Sequence, residues 1–143
     1  MTIHDFDMVR FYLGNDEIKE IFATASNISS KKFNEIKDYE LATCILKSKT
    51  GVICTINNSR HYKYGYDQRI EIFGSKGCLI SENKKKYNFF IDRYKTAYKL
   101  QLQDLVNLAN KNKKPRATFI DGEKALLIAN APYKNLLIKK VIK

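Results

Sequence analysis

From His4 to Leu13 the residues Phe6, Val9, Arg10 and Leu13 recur at helical spacing, and Gly14 follows them directly. That pattern predicts an amphipathic helix ended by a glycine in a left-handed conformation. Glu17 to Ile28, rich in Ile, Phe and Thr, reads as a strand, and polar Ser29 to Lys37 as a loop. Tyr39–Ser48 and Val52–Ser59 predict a hairpin: Leu41, Thr43 and Ile45 alternate with Ala42, Cys44 and Leu46, and Lys49-Thr50-Gly51 supplies the turn. Both faces of these strands are rather apolar, which predicts that helices cover one and another chain the other. Asp67–Gly74 and Cys78–Ser81 read as strands joined through Ser75-Lys76-Gly77, with a further short strand at Tyr87–Ile91. Beyond Asp92 the period lengthens. Tyr94, Tyr98, Leu102, Leu105 and Ala109 share one helical face. A last helix is predicted from Asp121-Gly122-Glu123, with Asp121 as N-cap and Leu126, Ala129, Tyr133 and Leu136 as its buried stripe. Pro132 falls inside that stripe and is expected to kink or split the helix. Strands cluster between helices without strand–helix alternation. The expected class is therefore α+β: a largely antiparallel open sheet with helices on one face, and residues 1–143 as a single domain.

Composition narrows the class further. The 143 residues are 44% hydrophobic and 29% charged, a globular rather than a disordered balance. No apolar run reaches membrane-spanning length, and Met1-Thr2-Ile3-His4-Asp5 has no signal-peptide pattern. Cys44, Cys54 and Cys78 are an odd set at wide spacings, in neither a disulfide nor a zinc arrangement; each falls in an apolar segment, as a small hydrophobe would. A reducing, cytoplasmic setting is expected. The formal net charge of +11 raises nucleic acid as a partner. However, the excess is mostly Lys and is scattered. Its densest groups, Lys84-Lys85-Lys86 and Lys111-Asn112-Lys113-Lys114, fall in predicted connections, where charge is readily solvated. Neither membrane nor nucleic acid is expected as a partner.

Candidate chemistry lies in two clusters. In His4-Asp5-Phe6-Asp7, His4 and Asp7 sit three apart on the predicted helix and share a face. A histidine beside a carboxylate suits proton transfer near neutrality, and the same pair could ligate a metal, although no third ligand is evident. Equally, Asp5 and Asp7 are what the positive end of a helix favours. The second cluster runs from Asn57 to Arg69 and is dense in amide, hydroxyl and guanidinium groups. Such groups orient polyhydroxylated ligands, and they also make ordinary polar loops. A dinucleotide cradle is not visible: Gly74-Ser75-Lys76-Gly77 has two glycines and joins two predicted strands, so no helix N-terminus faces a phosphate.

Three stretches together carry a resemblance: Met1 to Phe11, Asn57 to Arg60, and Tyr64-Gly65-Tyr66-Asp67-Gln68-Arg69 through Gly77. With Phe90–Tyr98 and Asp121–Ala125, they resemble the C-terminal domain of the glucose–fructose oxidoreductase-like (GFO/IDH/MocA) family, in its inositol-dehydrogenase branch. The resemblance covers essentially the whole chain. It implies a part in hydride transfer from a polyol CH–OH, such as that of myo-inositol, to NAD in a two-domain enzyme. It also implies that His4 is the catalytic histidine and that Asp7 contacts substrate. A substrate-contacting tyrosine falls at Tyr64 or Tyr66. The family's catalytic Asp, four positions before the His, falls outside this sequence, as do its catalytic Lys and nucleotide-binding domain. The chain alone is thus expected to bind no cofactor and to be inactive. A homo-oligomer through the sheet face is implied. The alternative is a non-catalytic polyol-binding or oligomerisation module.

Overall fold

A computed structural model describes residues 2–30, 32–111 and 114–137. The chain divides into two compact units: Met1–Arg60 with Ala117–Lys143, and His61–Arg116.

In the first unit, α1 spans Ile3–Leu13, and Gly14 closes it at a φ of 61°, its N–H donating to the Arg10 carbonyl. Phe6 is buried at 2% exposure, and Val9, Arg10 and Leu13 are half-buried, as the helical spacing predicts. Strands β1 (Ile18–Ser26), β2 (Leu41–Ser48) and β3 (Ile53–Ser59) form an antiparallel sheet in that order. In register, Ala23 faces Cys44 and Cys44 faces Ile56; one step along, Ile21, Leu46 and Cys54 align. Strand side chains alternate between faces, so these residues share one surface. Phe6 packs there with Ala23, Cys44, Leu46 and Ile56, joined by Val9, Ile128 and Ala129. Helices therefore cover one face, and on the other Phe22, Ile45 and Ile53 are exposed among the described residues.

The β1–β2 connection contains a short helix, α2 (Lys32–Glu35), within the expected loop. It is held by Glu40, which is fully buried. The Glu40 carboxylate accepts the Ile28 and Ser29 N–H groups at 2.8 Å each and the Ser29 hydroxyl at 2.7 Å. A buried carboxylate needs such donors to replace lost water.

A long helix, α4 (Phe119–Leu137), completes this unit. Three expectations are corrected here. Asp121 is not the N-cap but the third residue of the helix. Thr118 caps it, its carbonyl accepting from Asp121 and Gly122 while its N–H donates back to the Asp121 carboxylate. Asp favours both positions, so composition alone does not separate them. Second, Ala129 turns inward as expected, but Leu126 is 50% exposed, and Ala125 and Ile128 take its place on the inner face. The side chains of Tyr133 and Leu136 lie outside the described residues. Third, of the two outcomes expected at Pro132, the split is not seen: α4 runs from Phe119 to Leu137 as one helix.

The second unit holds a hairpin, β4 (Ile70–Gly74) with β5 (Gly77–Ser81), and helix α3 (Phe90–Lys111). The α+β, antiparallel layout stands, with its strands divided over two sheets. The strand expected at Tyr87–Ile91 is absent. Tyr87 alone makes an isolated bridge with Tyr66, and α3 begins at Phe90. Gly65 makes that bridge possible. It holds a φ of +100°, and a Cβ there would lie 2.1 Å from the Tyr87 carbonyl oxygen. The predicted α3 face exists, but Tyr98, Leu102 and Leu105 are all exposed.

Candidate functional site

Helix α1 presents both N-terminal candidates. His4 lies in its first turn and is exposed. Asp7, three residues on, keeps 51% of its side chain open. Arg10 Nη1 donates to Asp7 Oδ1 at 2.8 Å, so one carboxylate oxygen is engaged. The first turn is tied to the sheet by Asn58 on β3, whose Nδ2 donates to Asp5 Oδ2 at 3.0 Å. Asn58 Oδ1 is buried, with no hydrogen-bond partner among the described residues. This arrangement gives α1 a fixed entry and leaves His4 and Asp7 toward solvent, where a hydroxylated ligand can reach them.

The Asn57–Arg69 cluster falls partly in each unit. Asn57 bonds Thr43 across the strands at 3.0 Å, and Arg60 pairs with Asp38 while donating to the Tyr39 carbonyl at 3.0 Å. These residues fasten local structure. In the second unit, Tyr62, Tyr64, Tyr66, Asp67, Arg69 and Glu82 help line a cleft of about 290 Å³. Tyr64 is 62% exposed, its ring edge-on to Tyr62 at 5.9 Å. Tyr66 is half-buried between Phe90 and Tyr94, and its hydroxyl donates to Gln68 Oε1 at 3.4 Å. Arg69 donates to Asp67 at 2.8 Å and to the Tyr62 hydroxyl at 3.3 Å, and these contacts raise its pKa. Phenol, carboxylate and guanidinium groups together can bind a polar, hydroxyl-bearing molecule. Tyr66 is braced by two aromatic rings; Tyr64 has the freer position.

Elsewhere the Cys44 and Cys54 thiols act as packing groups. Burial pushes the Cys44 and Cys54 thiols up, away from the reactive thiolate. Cys78 departs from the expectation of a packed hydrophobe, since it is exposed on β5. Among the described residues, no three His, Cys, Asp or Glu side chains gather as a metal site, and no helix is long and apolar enough to cross a membrane. Gly74 to Gly77 closes the β4–β5 hairpin and opens no helix, so this turn does not have the form of a pyrophosphate cradle.

Sequence reading missed the partner of Arg10. Its fork reaches 111 positions along the chain to Asp121, donating to the carbonyl at 2.9 Å and to Oδ1 at 3.1 Å. The i,i+3 spacing of Asp7 and Arg10 was a signal for the first link; nothing local marks the second.

A helix bearing a histidine–aspartate pair, packed on an antiparallel sheet, defines an α+β domain of a recognisable kind. The model of the GFO/IDH/MocA C-terminal domain matches residues 1–80, and the chain belongs to that family. It is similar to the myo-inositol 2-dehydrogenase of Thermotoga maritima, at 35% identity over all of this chain and 47% of that protein. A crystal structure of a myo-inositol dehydrogenase from Corynebacterium glutamicum superposes with a TM-score of 0.89 at 37% identity, covering 96% of this chain and 46% of that one. The Lactobacillus casei myo-inositol dehydrogenase, solved with NAD(H) and myo-inositol, shares the fold at a TM-score of 0.78 and 20% identity, over 97% of this chain and 45% of that one. The chain thus spans about half the length of the relatives it matches, and corresponds to their C-terminal half.

Proposed function

We propose that this chain supplies the substrate-binding and oligomerisation half of an NAD-dependent inositol 2-dehydrogenase-like oxidoreductase. The observation that carries the reading is the pair His4 and Asp7, solvent-facing on α1, in a chain matched end to end by a myo-inositol 2-dehydrogenase. His4 takes the hydroxyl proton as hydride leaves the ring carbon; a neutral imidazole is suited to that step. Asp7 accepts a hydrogen bond from a neighbouring ring hydroxyl, and Tyr64 or Tyr66 provides a further contact. NAD supplies the hydride acceptor and is held outside this half of the enzyme, and the 143-residue chain alone turns nothing over. The open sheet face, with Phe22, Ile45 and Ile53, meets a second copy. Residues 1–143 act as one domain in the cytoplasm.

The test is reconstitution. The chain is joined to the N-terminal half of the Thermotoga maritima relative, and myo-inositol-dependent NADH formation is followed. Turnover is expected in the joined protein, none in either part, and a loss of at least about a hundredfold in His4→Ala. A joined, folded protein whose rate ignores His4→Ala would overturn the reading. Stable polyol binding without any turnover would favour the non-catalytic module instead.

A further inference from the structure

Arg10 joins two helices of the first unit. Its Nη1 donates to Asp7 Oδ1 at 2.8 Å and to the Asp121 carbonyl at 2.9 Å, and its Nη2 donates to Asp121 Oδ1 at 3.1 Å. Asp121 is held in turn: the Thr118 N–H and hydroxyl each donate to its Oδ2 at 2.8 Å. A continuous chain of hydrogen bonds therefore runs from Thr118 through Asp121 and Arg10 to Asp7. The Arg10 side chain is only 18% exposed, whereas Asp7 is 51% exposed. The anchor is sheltered and the anchored carboxylate is presented.

We propose that Arg10 is a positioning residue: it fixes one oxygen of Asp7 so that the other is aimed at a polyol hydroxyl, with the first turn of α4 as the fixed end. The inference rests on the polyol reading of Asp7. An aspartate on an open helix face has several staggered rotamers. Selecting one before the ligand arrives removes an ordering cost from binding. Arginine is the side chain for this task, because its planar fork holds two partners at once in set directions. A lysine ammonium reaches one and leaves its geometry loose. An isolated surface pair would contribute little. Here three bonds converge on one sheltered guanidinium, and the far partner is locked by its own helix cap.

The experiment uses the 143-residue chain, myo-inositol as probe, and the variants Arg10→Met, Arg10→Lys and Asp121→Asn. Three-bond NMR couplings report the Asp7 χ1 populations, an NMR titration gives the myo-inositol Kd, and thermal midpoints track folding. Asp7 is expected in one dominant rotamer in the parent chain and averaged in Arg10→Met, with Kd weakened about tenfold. Asp121→Asn, which leaves Arg10 in place but loosens its far end, should fall between them. Arg10→Lys should restore stability more fully than it restores Kd, a split that a purely structural role would not give. If Arg10→Met does not fold, Arg10→Lys and Asp121→Asn decide the matter by the same couplings. An Asp7 rotamer unmoved in these variants would overturn the proposal, whatever happens to binding. Failure of the folded parent chain to bind myo-inositol would instead overturn the polyol reading, while the couplings still decide whether Arg10 orders Asp7.

Discussion

Met1–Arg60 with Ala117–Lys143 and His61–Arg116 are built on different terms. Among the described residues, all the buried hydrophobic ones lie in the first unit: Phe6, Ala23, Cys44, Leu46, Ile56 and Ala125. The buried polar residues Glu40 and Ser48 lie there too. The second unit, among its described residues, buries none, and Phe73, Ile80, Leu102 and Leu105 stand exposed at 62% or more. One unit is closed by two helices laid on a three-stranded sheet. The other consists of a hairpin, a bridge and a long helix with its apolar side chains outward. Hydrophobic burial is the main stabilising term in folding, so the two cannot contribute alike to the stability of the isolated chain.

The sharpest way to break this comparison is a matched pair of deletions. Leu46 is fully buried, and Leu46→Ala is expected to cost about 2–5 kcal/mol through lost transfer and a residual cavity. Leu102, at 64% exposure, should cost less than about 0.5 kcal/mol on the same substitution in a monomeric chain. Denaturant midpoints of the two variants measure the contrast. Comparable losses would mean that the α3 face is covered in solution, for instance by a second copy.

A smaller effect is expected from Gly65→Ala. The new Cβ would meet the Tyr87 carbonyl oxygen, and the backbone would be strained at its positive φ. The cost is about 1–3 kcal/mol, felt where Tyr66 N–H donates to Tyr87 at 2.7 Å. Hydrogen exchange of the Tyr66 amide should speed up markedly while the Leu46 and Cys44 amides keep their protection. Loss of protection in both places would show that the two units unfold together, and would erase the distinction.

Individual elements of both units were legible in residue order, whereas the division into two units was not, and the reasons are physical. The hairpin of β2 and β3 could be read because alternation and a glycine turn are local signals. Helix α3 could be read as a helix from its period, but period does not say whether anything lies against the apolar face. Tyr87-Asn88-Phe89-Phe90-Ile91 looked like a strand because aromatic and β-branched residues fit one. With no partner beyond the single Tyr66 bridge, its second half joined the helix that Asp92 favours in its first turn. At the candidate site, composition left His4 and Asp7 open between chemistry and helix start. Only the family resemblance chose between them. The Arg10–Asp121 link was invisible because it is a tertiary contact between residues whose local surroundings would look the same without it.

The least effect, and the most diagnostic of the first unit, is a dependence on acid. Asp16, Glu17 and Asp121 all lie in that unit, and hydrogen bonds hold each carboxyl below the ordinary range. For Asp121 the causes are the Thr118 hydroxyl and N–H, then Arg10, and its pKa falls from 3.8 to about 2. Because the folded value lies below the unfolded one, the folded state favours the ionised form. The resulting stabilisation is complete above the unfolded pKa and disappears as the pH falls through the folded value. Between pH 4 and 2 the parent chain should therefore lose stability that Asp121→Asn has already lost. Thermal midpoints of the two should lie apart above pH 4 and draw together toward pH 2. Arg10→Met removes one of the three donors, so the Asp121 pKa measured by NMR titration should rise part of the way to 3.8. Parallel pH curves for the parent and Asp121→Asn would mean that the carboxylate at the head of α4 is solvated rather than held, and the Thr118–Asp121–Arg10 chain would then have no fixed end.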